Sequence, residues 1–599
     1  MKWCQRVVCL LLCLSLRSFS NGPVLASDLQ QEYVTTTPVV AGGVVYVASS
    51  TYPWHRGHLR AIDIFGLLPV TLWDAAERVP LAGVGDNPGD QASSDPPDRI
   101  RRDNLYRSLF TNLAGASLPL TSLQAGALQT AMGVATTAEA ELLLHAARGR
   151  RGGSPDRVAG SGEDPLRLWN VSRSSPVLVG RRPVNAAAAE RDQMLYAGAE
   201  DGMLHGFFVS RWDTDSGSYQ IDEAAGGTEL WAYLPGSFLA YLKEQPLDNY
   251  VDELAVHLDG SPVVREVFLD LDGDGRRNWS TLLVATGTML RSRRSCLFVI
   301  NISDPYQPEL LWEKRLPLEA AGRTRGVSVD RCDAALTTSN CIYLTADFAA
   351  DFAAEEESAG IHALALTLET GQLLWTFSTP YATSGPVAEA TPAVPVLMDL
   401  DGNGRSDALV FGDLVGQLWA LDLAAGRAFS DAPVYQLPAG AAEPIGAGVA
   451  VQGNLAVFGT GGVEDADNNH QYAVYAVEIR RDGGRLHWTY PLAAGEKVWE
   501  TPVIDAEGHL LFATAVDYLS PARSGEQATS GRIVALNRAG EEDLSRDTAA
   551  ATVGRIAIAP GVAVSVALTG EVTQFGSVDR LTESADRPGP VRILSWRQQ

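Results

Sequence analysis

The sequence predicts an all-β chain, a modified β-propeller of about seven blades with a partly helical insertion after the first. Two observations predict it: a strand–turn–tryptophan unit recurs along the chain, and the stretch from about Gly83 to Gly162 interrupts it. Each unit is a Gly or polar turn, an alternating apolar strand, a second turn, then an apolar residue and Trp. It runs Gly57-His58-Leu59-Arg60-Ala61-Ile62-Asp63 to Leu72-Trp73, and Gly202-Met203-Leu204-His205-Gly206-Phe207 to Glu229-Leu230-Trp231. It returns at Leu297-Phe298-Val299-Ile300-Asn301 with Leu311-Trp312, and at His362-Ala363-Leu364-Ala365-Leu366 with Leu374-Trp375. Gly416-Gln417-Leu418-Trp419-Ala420-Leu421-Asp422 has the strand without the final Trp, Val474-Tyr475-Ala476-Val477 leads to His487-Trp488, and Gly531-Arg532-Ile533-Val534-Ala535-Leu536-Asn537 is degenerate. A fixed period of roughly 55–65 residues, clearest in the C-terminal half, marks a repeat whose sheets are covered by their neighbours. Two stacked β-sandwiches are the alternative, but they lack such a recurrence.

Within the interruption, Gly/Asp/Pro punctuation replaces strand alternation. A helix is expected to open at Thr136, with Glu139 completing a capping box, and to close near Arg148-Gly149. The Gly/Arg/Ser-rich run from Gly149 to Gly162 reads as a loop. The expected layout is a signal peptide over 1–26, a propeller over 27–580 with the insertion at 83–162, and a tail over 581–599.

The N-terminus carries the address. Lys2 and Arg6 precede the apolar run Val7 to Leu16, and Val24-Leu25-Ala26 offers a small-residue cleavage site. That is the layout of a secretory signal, with an apolar segment too short to span a bilayer; an N-terminal anchor is the alternative. An exported chain with no membrane segment after processing is therefore expected. Cysteine usage agrees, because three of the six cysteines (Cys4, Cys9, Cys13) lie in that signal. Cys332 and Cys341 bracket a short polar loop, and a disulfide between them is expected in an oxidising compartment. Cys296, in an apolar strand, reads as a buried free thiol.

The 599 residues are 46% apolar and 20% charged, as in a folded globular protein. With 72 acidic and 47 basic residues the formal charge is −25, which disfavours nucleic acid and anionic membranes as partners. No Gly-x-Ser-x-Gly elbow, His-Glu-x-x-His, phosphate-binding Gly-Lys-Ser/Thr loop or Cys-x-x-Cys occurs, so no enzyme is expected. His205 and His362, on strands, read as packed core residues.

The strongest chemical motif is Asp399-Leu400-Asp401-Gly402-Asn403-Gly404-Arg405-Ser406-Asp407. Oxygen-bearing side chains fall at positions 1, 3, 5 and 9 (Asp399, Asp401, Asn403, Asp407), and the Arg405 carbonyl is free at position 7. Ca²⁺ takes about six to eight hard oxygens, and this spacing wraps alternate residues round one centre, with Gly404 allowing the sharp turn. Position 12 is Val410 instead of Glu, and a strand follows, so this is an EF-hand-like loop in a β setting. A polar turn held by Asx hydrogen bonds is the alternative. A second loop, Asp270-Leu271-Asp272-Gly273-Asp274-Gly275-Arg276-Arg277-Asn278, repeats the pattern with Asp270, Asp272, Asp274, the Arg276 carbonyl and Asn278 as candidate ligands. Its two arginines weaken the local field.

Several segments together resemble the C-terminal propeller of the PilY/PilC type IV pilus proteins, the neisserial PilC kind among them. They are Tyr196-Ala197-Gly198-Ala199-Glu200-Asp201-Gly202 to Phe207, Glu229 to Pro235, Leu258 to Pro262, Asp399 to Leu423, Phe458 to Gly461 and Glu496 to Val503. The resemblance covers about residues 33 to 540, and the order of the motifs is more specific than any one of them. It implies a pilus assembly and tip-associated role with calcium-dependent control of extension and retraction. Minor pilins at the pilus tip, and a surface or host ligand, would be the partners. The expected location is the periplasm, the outer membrane and the pilus tip. The long N-terminal region of many members has no counterpart here, which favours assembly and regulation over adhesion. The Thr370-Gly371-Gln372-Leu373-Leu374-Trp375 repeat also resembles blades of quinoprotein dehydrogenases, which position pyrroloquinoline quinone with Ca²⁺. Adjacent cysteines and strict docking repeats are missing, so that enzyme is the lesser alternative, beside a periplasmic scaffold for outer-membrane assembly.

Overall fold

A four-stranded antiparallel meander recurs through the chain, and in each copy the second strand alternates between two different cores. Asn340–Ala349 turns Ile342, Leu344 and Ala346 towards the preceding sheet and Cys341 and Tyr343 towards the following one. Such a strand is apolar on both faces because both are covered, and each fully buried Val, Leu or Phe contributes about 1.5–3 kcal/mol. The computed structural model describes residues from Gln31 to Ser595. The principal stretches outside the description are 1–30, 80–106, 149–167, 183–189, 245–253, 317–323, 333–339, 350–357, 384–391, 517–529, 576–591 and 596–599, with shorter runs in connecting loops. The signal sequence and the Gly149–Gly162 loop thus lie outside the described residues.

The described residues form eight sheets, one more than the tryptophan recurrence predicts. In chain order their second strands are Val44–Tyr52, Gln193–Gly198, Asn278–Met289, Asn340–Ala349, Ala408–Gly412, Leu455–Gly459, Leu510–Val516 and Val562–Val566. Eight apolar clusters lie between them, each shared by two consecutive sheets. The last joins Val564, Val566 and Val572 of sheet 8 to Val45, Val47 and Ile62 of sheet 1, and so closes the ring. The expectation of about seven quinoprotein-dehydrogenase-like blades is therefore corrected. The count fell short because sheet 8 (Ala557–Ala559, Val562–Val566, Glu571–Phe575, Arg592–Ser595) is built from short strands that hold no tryptophan among the described residues.

The tryptophan repeat itself is a seam device and needs no cofactor to explain it. Trp312 Nε1 donates to the Leu368 carbonyl at 2.9 Å, Trp375 to Leu423 at 3.0 Å and Trp488 to Arg538 at 3.1 Å. Each indole sits on the fourth strand of one sheet and bonds the turn before the fourth strand of the next. Glycines at positive φ receive them: Gly371 meets Trp312, Gly426 meets Trp375 and Gly540 meets Trp488. Only a residue without Cβ lets the ring approach that backbone. The fifth sheet departs from this, carrying Phe429 next to its short fourth strand, Arg427–Ala428.

Among its described residues the insertion holds two helices, Ala125–Met132 and Thr137–Ala147. The capping box is present: Glu139 N donates to Thr136 Oγ1 at 3.2 Å and Thr136 N to Glu139 Oε2 at 3.1 Å. Ala140, Leu143 and Leu144 join the core that sheets 2 and 3 share. The insertion also contains a hairpin, Leu109–Leu113 with Ala116–Pro119, where no strand alternation was expected. Its first strand runs parallel to Glu229–Leu234 at the outer edge of sheet 2. The turn uses Ala114 and Gly115, both at positive φ. Alanine is rare there, which is why the turn was not legible.

Candidate metal loops and the seams around them

The loop from Asp399 to Asp407 joins the first and second strands of sheet 5, Val396–Met398 and Ala408–Gly412. Asp399 organises it. Its Oδ1 accepts from Gly402 N at 2.8 Å and Asn403 N at 3.2 Å, and its Oδ2 from Gly404 N at 2.7 Å. Burial works against ionisation, but these N–H groups together outweigh it and hold the Asp399 carboxyl below its ordinary range. Asp401 Oδ1 accepts from Asn403 N at 3.1 Å, and Asn403 Oδ1 accepts from Arg405 N at 2.9 Å. Gly402 and Gly404 stand at φ +73° and +82°, the left-handed region the turn requires.

The second loop lies at the same topological position in sheet 3, between Val263–Leu269 and Asn278–Met289. It repeats the first loop's bonds: Asp270 accepts from Gly273 N at 2.8 Å and Gly275 N at 2.9 Å, and Asp274 Oδ1 accepts from Arg276 N at 2.7 Å. Gly273 and Gly275 again have positive φ. Asn278 opens the second strand opposite Leu269. Asp272 lies outside the described residues.

The donor set of the first loop fits calcium in chemistry: Asp399, Asp401, Asn403, Asp407 and the Arg405 carbonyl offer hard oxygens only, on a turn already wound. Among the described residues, no group of three His, Cys, Asp or Glu is placed to hold a metal. Asp407 shows why. It is buried, its Oδ1 accepts from Leu400 N at 3.0 Å, and its Oδ2 pairs with Arg481 Nη2 at 3.1 Å.

No local pattern marks Arg481 or Asp330 as a partner of this loop. Ser406 Oγ donates to Asp330 Oδ2 at 2.8 Å, and Asp330 Oδ1 accepts from Arg265 Nη2 at 2.6 Å. Asp330 therefore links sheet 3, sheet 4 and the loop of sheet 5. It stands opposite Cys341 in register, and Cys341 is disulfide-bonded to Cys332 as expected. Cys296 is a buried free thiol, also as expected.

A second buried polar group was missed. Arg107 donates from Nε and Nη2 to Glu229 at 2.7 Å each, tying the start of the insertion hairpin to sheet 2. His205, fully buried and stacked on Phe207, contacts Glu229 at 2.7 Å and Asp201 at 3.3 Å. Burial alone would lower the imidazole pKa. Asp201 and Glu229 override it and raise it to about 9. His205 is thus a core residue, as expected, but a charged one. His362 is half-buried and contacts Ser378 Oγ.

Comparison with known proteins places these elements. Residues 180–471, which include both loops, match the family described as the PilY1 beta-propeller domain. The type IV pilus biogenesis factor PilY1 of Pseudomonas aeruginosa is 28% identical over 285 residues, which are 44% of this chain and 21% of that protein. A PilY1 homolog of Xylella fastidiosa is 30% identical over 129 residues, 22% of this chain and 8% of that protein. The chain spans about a fifth of the length of the first of these. Its central region is homologous to PilY1-type pilus biogenesis proteins, not to neisserial PilC in particular. Among solved structures, BamB from Moraxella catarrhalis is 11% identical with a TM-score of 0.28, covering 67% of this chain and 96% of its own. An α-L-arabinofuranosidase from Fusarium graminearum is 10% identical with a TM-score of 0.27, covering 67% and 92%. Likenesses this distant carry no argument about blade count or cofactor. No described helix is long and apolar enough to cross a membrane.

Proposed function

We propose that this chain is a type IV pilus biogenesis factor whose propeller acts at the pilus tip and binds one Ca²⁺ in the loop from Asp399 to Asp407. In this reading residues 1–26 direct export, the propeller over 27–580 engages minor pilins, and calcium biases the pilus between extension and retraction. A surface or host ligand at the tip belongs to the same proposal. The observation that carries it is the position of the Asp399 loop inside the region homologous to PilY1, with its first carboxylate already anchoring the turn. Asp399, Asp401, Asn403, Asp407 and the Arg405 carbonyl would hold the ion. Asp270, Asp272, Asp274, Asn278 and the Arg276 carbonyl would form a second, weaker site. Bound calcium would supply a fixed double charge that draws these oxygens together.

The test has two arms. A deletion strain should lose surface pili and recover them with the wild-type gene. Calorimetry on chelated protein should show saturable Ca²⁺ binding that Asp401→Ala weakens at least about tenfold, since a ligand carboxylate is lost. Normal piliation in the deletion strain ends the pilus reading, and no saturable heat below millimolar calcium ends the switch reading.

A further inference from the structure

The seam between sheets 5 and 6 is built differently from the others around it, and the difference falls on the Asp399 loop. At the seams of sheets 3 and 4, 4 and 5, and 6 and 7 an indole bonds the next sheet's turn: Trp312 to Leu368, Trp375 to Leu423 and Trp488 to Arg538. Here Phe429 takes the tryptophan's place, its N–H bonded to Ala420 O. The turn it faces, between Ala473–Arg480 and Gly483–Pro491 of sheet 6, brings Arg481. The Arg481 guanidinium lies 5.3 Å from the Phe429 ring centre, 3.1 Å from Asp407 Oδ2 and 3.3 Å from Asp422 Oδ2. One side chain of sheet 6 therefore holds the aromatic, the last strand residue and the ninth loop position of sheet 5.

We propose that Arg481 is a resident cation of this loop, holding Asp407 in the metal-free chain and competing with a divalent ion for it. This rests on the calcium reading of the loop. Asp407 has one oxygen committed to Leu400 N, so Oδ2 is the oxygen it can turn to an ion, and Arg481 holds that oxygen. Asp407 is buried, and a buried carboxylate oxygen stripped of its partner is costly, so the metal-free loop retains Arg481. Arg481 is itself 57% exposed, so water can take over its charge when it lets go. Binding then couples to the seam: Asp407 cannot serve both cations, and whatever weakens the Arg481 contact must strengthen the ion's hold by the same factor.

Arg481→Gln and Arg481→Lys test this by calorimetry with CaCl₂ on chelated protein and by thermal unfolding with chelator or saturating Ca²⁺. Arg481→Gln should tighten Ca²⁺ binding about three- to tenfold, the lower range of coupling appropriate to a half-exposed pair. It should also lower the metal-free unfolding temperature, so that the rise on adding Ca²⁺ exceeds that of wild type. Arg481→Lys, which keeps the charge but loses the planar fork, should fall between them. Unchanged or weaker binding in Arg481→Gln, with wild type binding normally, overturns the competition and leaves the calcium reading standing. If wild type and both variants bind nothing up to millimolar Ca²⁺, the competition and the calcium reading fall together.

Discussion

Ser406 donates its hydroxyl to Asp330 across the boundary between sheets 5 and 4, at 2.8 Å. The same carboxylate takes Arg265 of sheet 3 on its other oxygen at 2.6 Å, so three consecutive sheets meet on one residue beside the disulfide. Removing the acceptor frees both donors. Asp330→Ala should destabilise by about 1 kcal/mol, because the Arg265 pair is partly exposed and screened and the Ser406 bond contributes about 0.5–1.5 kcal/mol. Ser406→Ala should cost about half as much. Urea unfolding midpoints in chelator check this, and equal midpoints for all three proteins would refute a joint at Asp330.

The disulfide closes the strand ends next to that joint. Replacing Cys332 and Cys341 together by Ser should cost about 2.5–3 kcal/mol by the loop-entropy model. Non-reducing chemical denaturation of the double variant is the measurement. If Asp330 depends on the bridge for its position, adding Asp330→Ala to the double variant should cost less than it does in wild type.

Gly426 and Gly402 separate two reasons for a glycine. Both have positive φ, but a methyl group on Gly426 would overlap the Trp375 indole, whereas Gly402 has open space around it. Gly426→Ala should therefore cost about 2–4 kcal/mol, combining backbone strain with overpacking, and Gly402→Ala only about 1–2 kcal/mol. Thermal unfolding of the two variants decides. Equal losses would mean the tryptophan seam yields easily.

His205 makes stability depend on alkaline pH. Its folded pKa, about 9, stands above the unfolded value of about 6.5. The stabilisation is therefore fully present below about 6.5 and is lost as pH rises through 9. Glu229, pulled down to about 2 against its burial by Arg107 and His205, stays ionised throughout that window. The unfolding temperature of wild type should fall more steeply from pH 7 to 9.5 than that of His205→Gln. Parallel curves would show that the imidazole is neutral in the folded chain.

Local features were legible in the sequence and juxtapositions were not. The capping box at Thr136 and Glu139, and the anchoring of both metal-type turns by Asp399 and Asp270, follow from spacings of a few residues. The recurrent tryptophans revealed repeated sheets because every indole needs a similar seat on the next sheet. Sheet 8 lacks that signature among its described residues, and the count fell short by one. Arg481 and Asp330 lie 74 and 76 positions from their partners in the loop, Asp407 and Ser406. No local pattern marks them, because only the packing of sheet against sheet brings them there. His205 was legible as buried but not as charged, since its carboxylates come from a turn and a neighbouring strand.

The closure of sheet 8 on sheet 1 has a consequence for the order of events in making this molecule. Val45, Val47 and Ile62 are among the first core residues to leave a ribosome or an export channel, yet Val564, Val566 and Val572, which cover them, emerge some five hundred residues later. Until then one flank of the first sheet stays bare. A chain of this kind benefits from a holding chaperone or from delayed collapse, and a premature stop before residue 562 would leave a sticky, protease-sensitive product instead of a smaller ring.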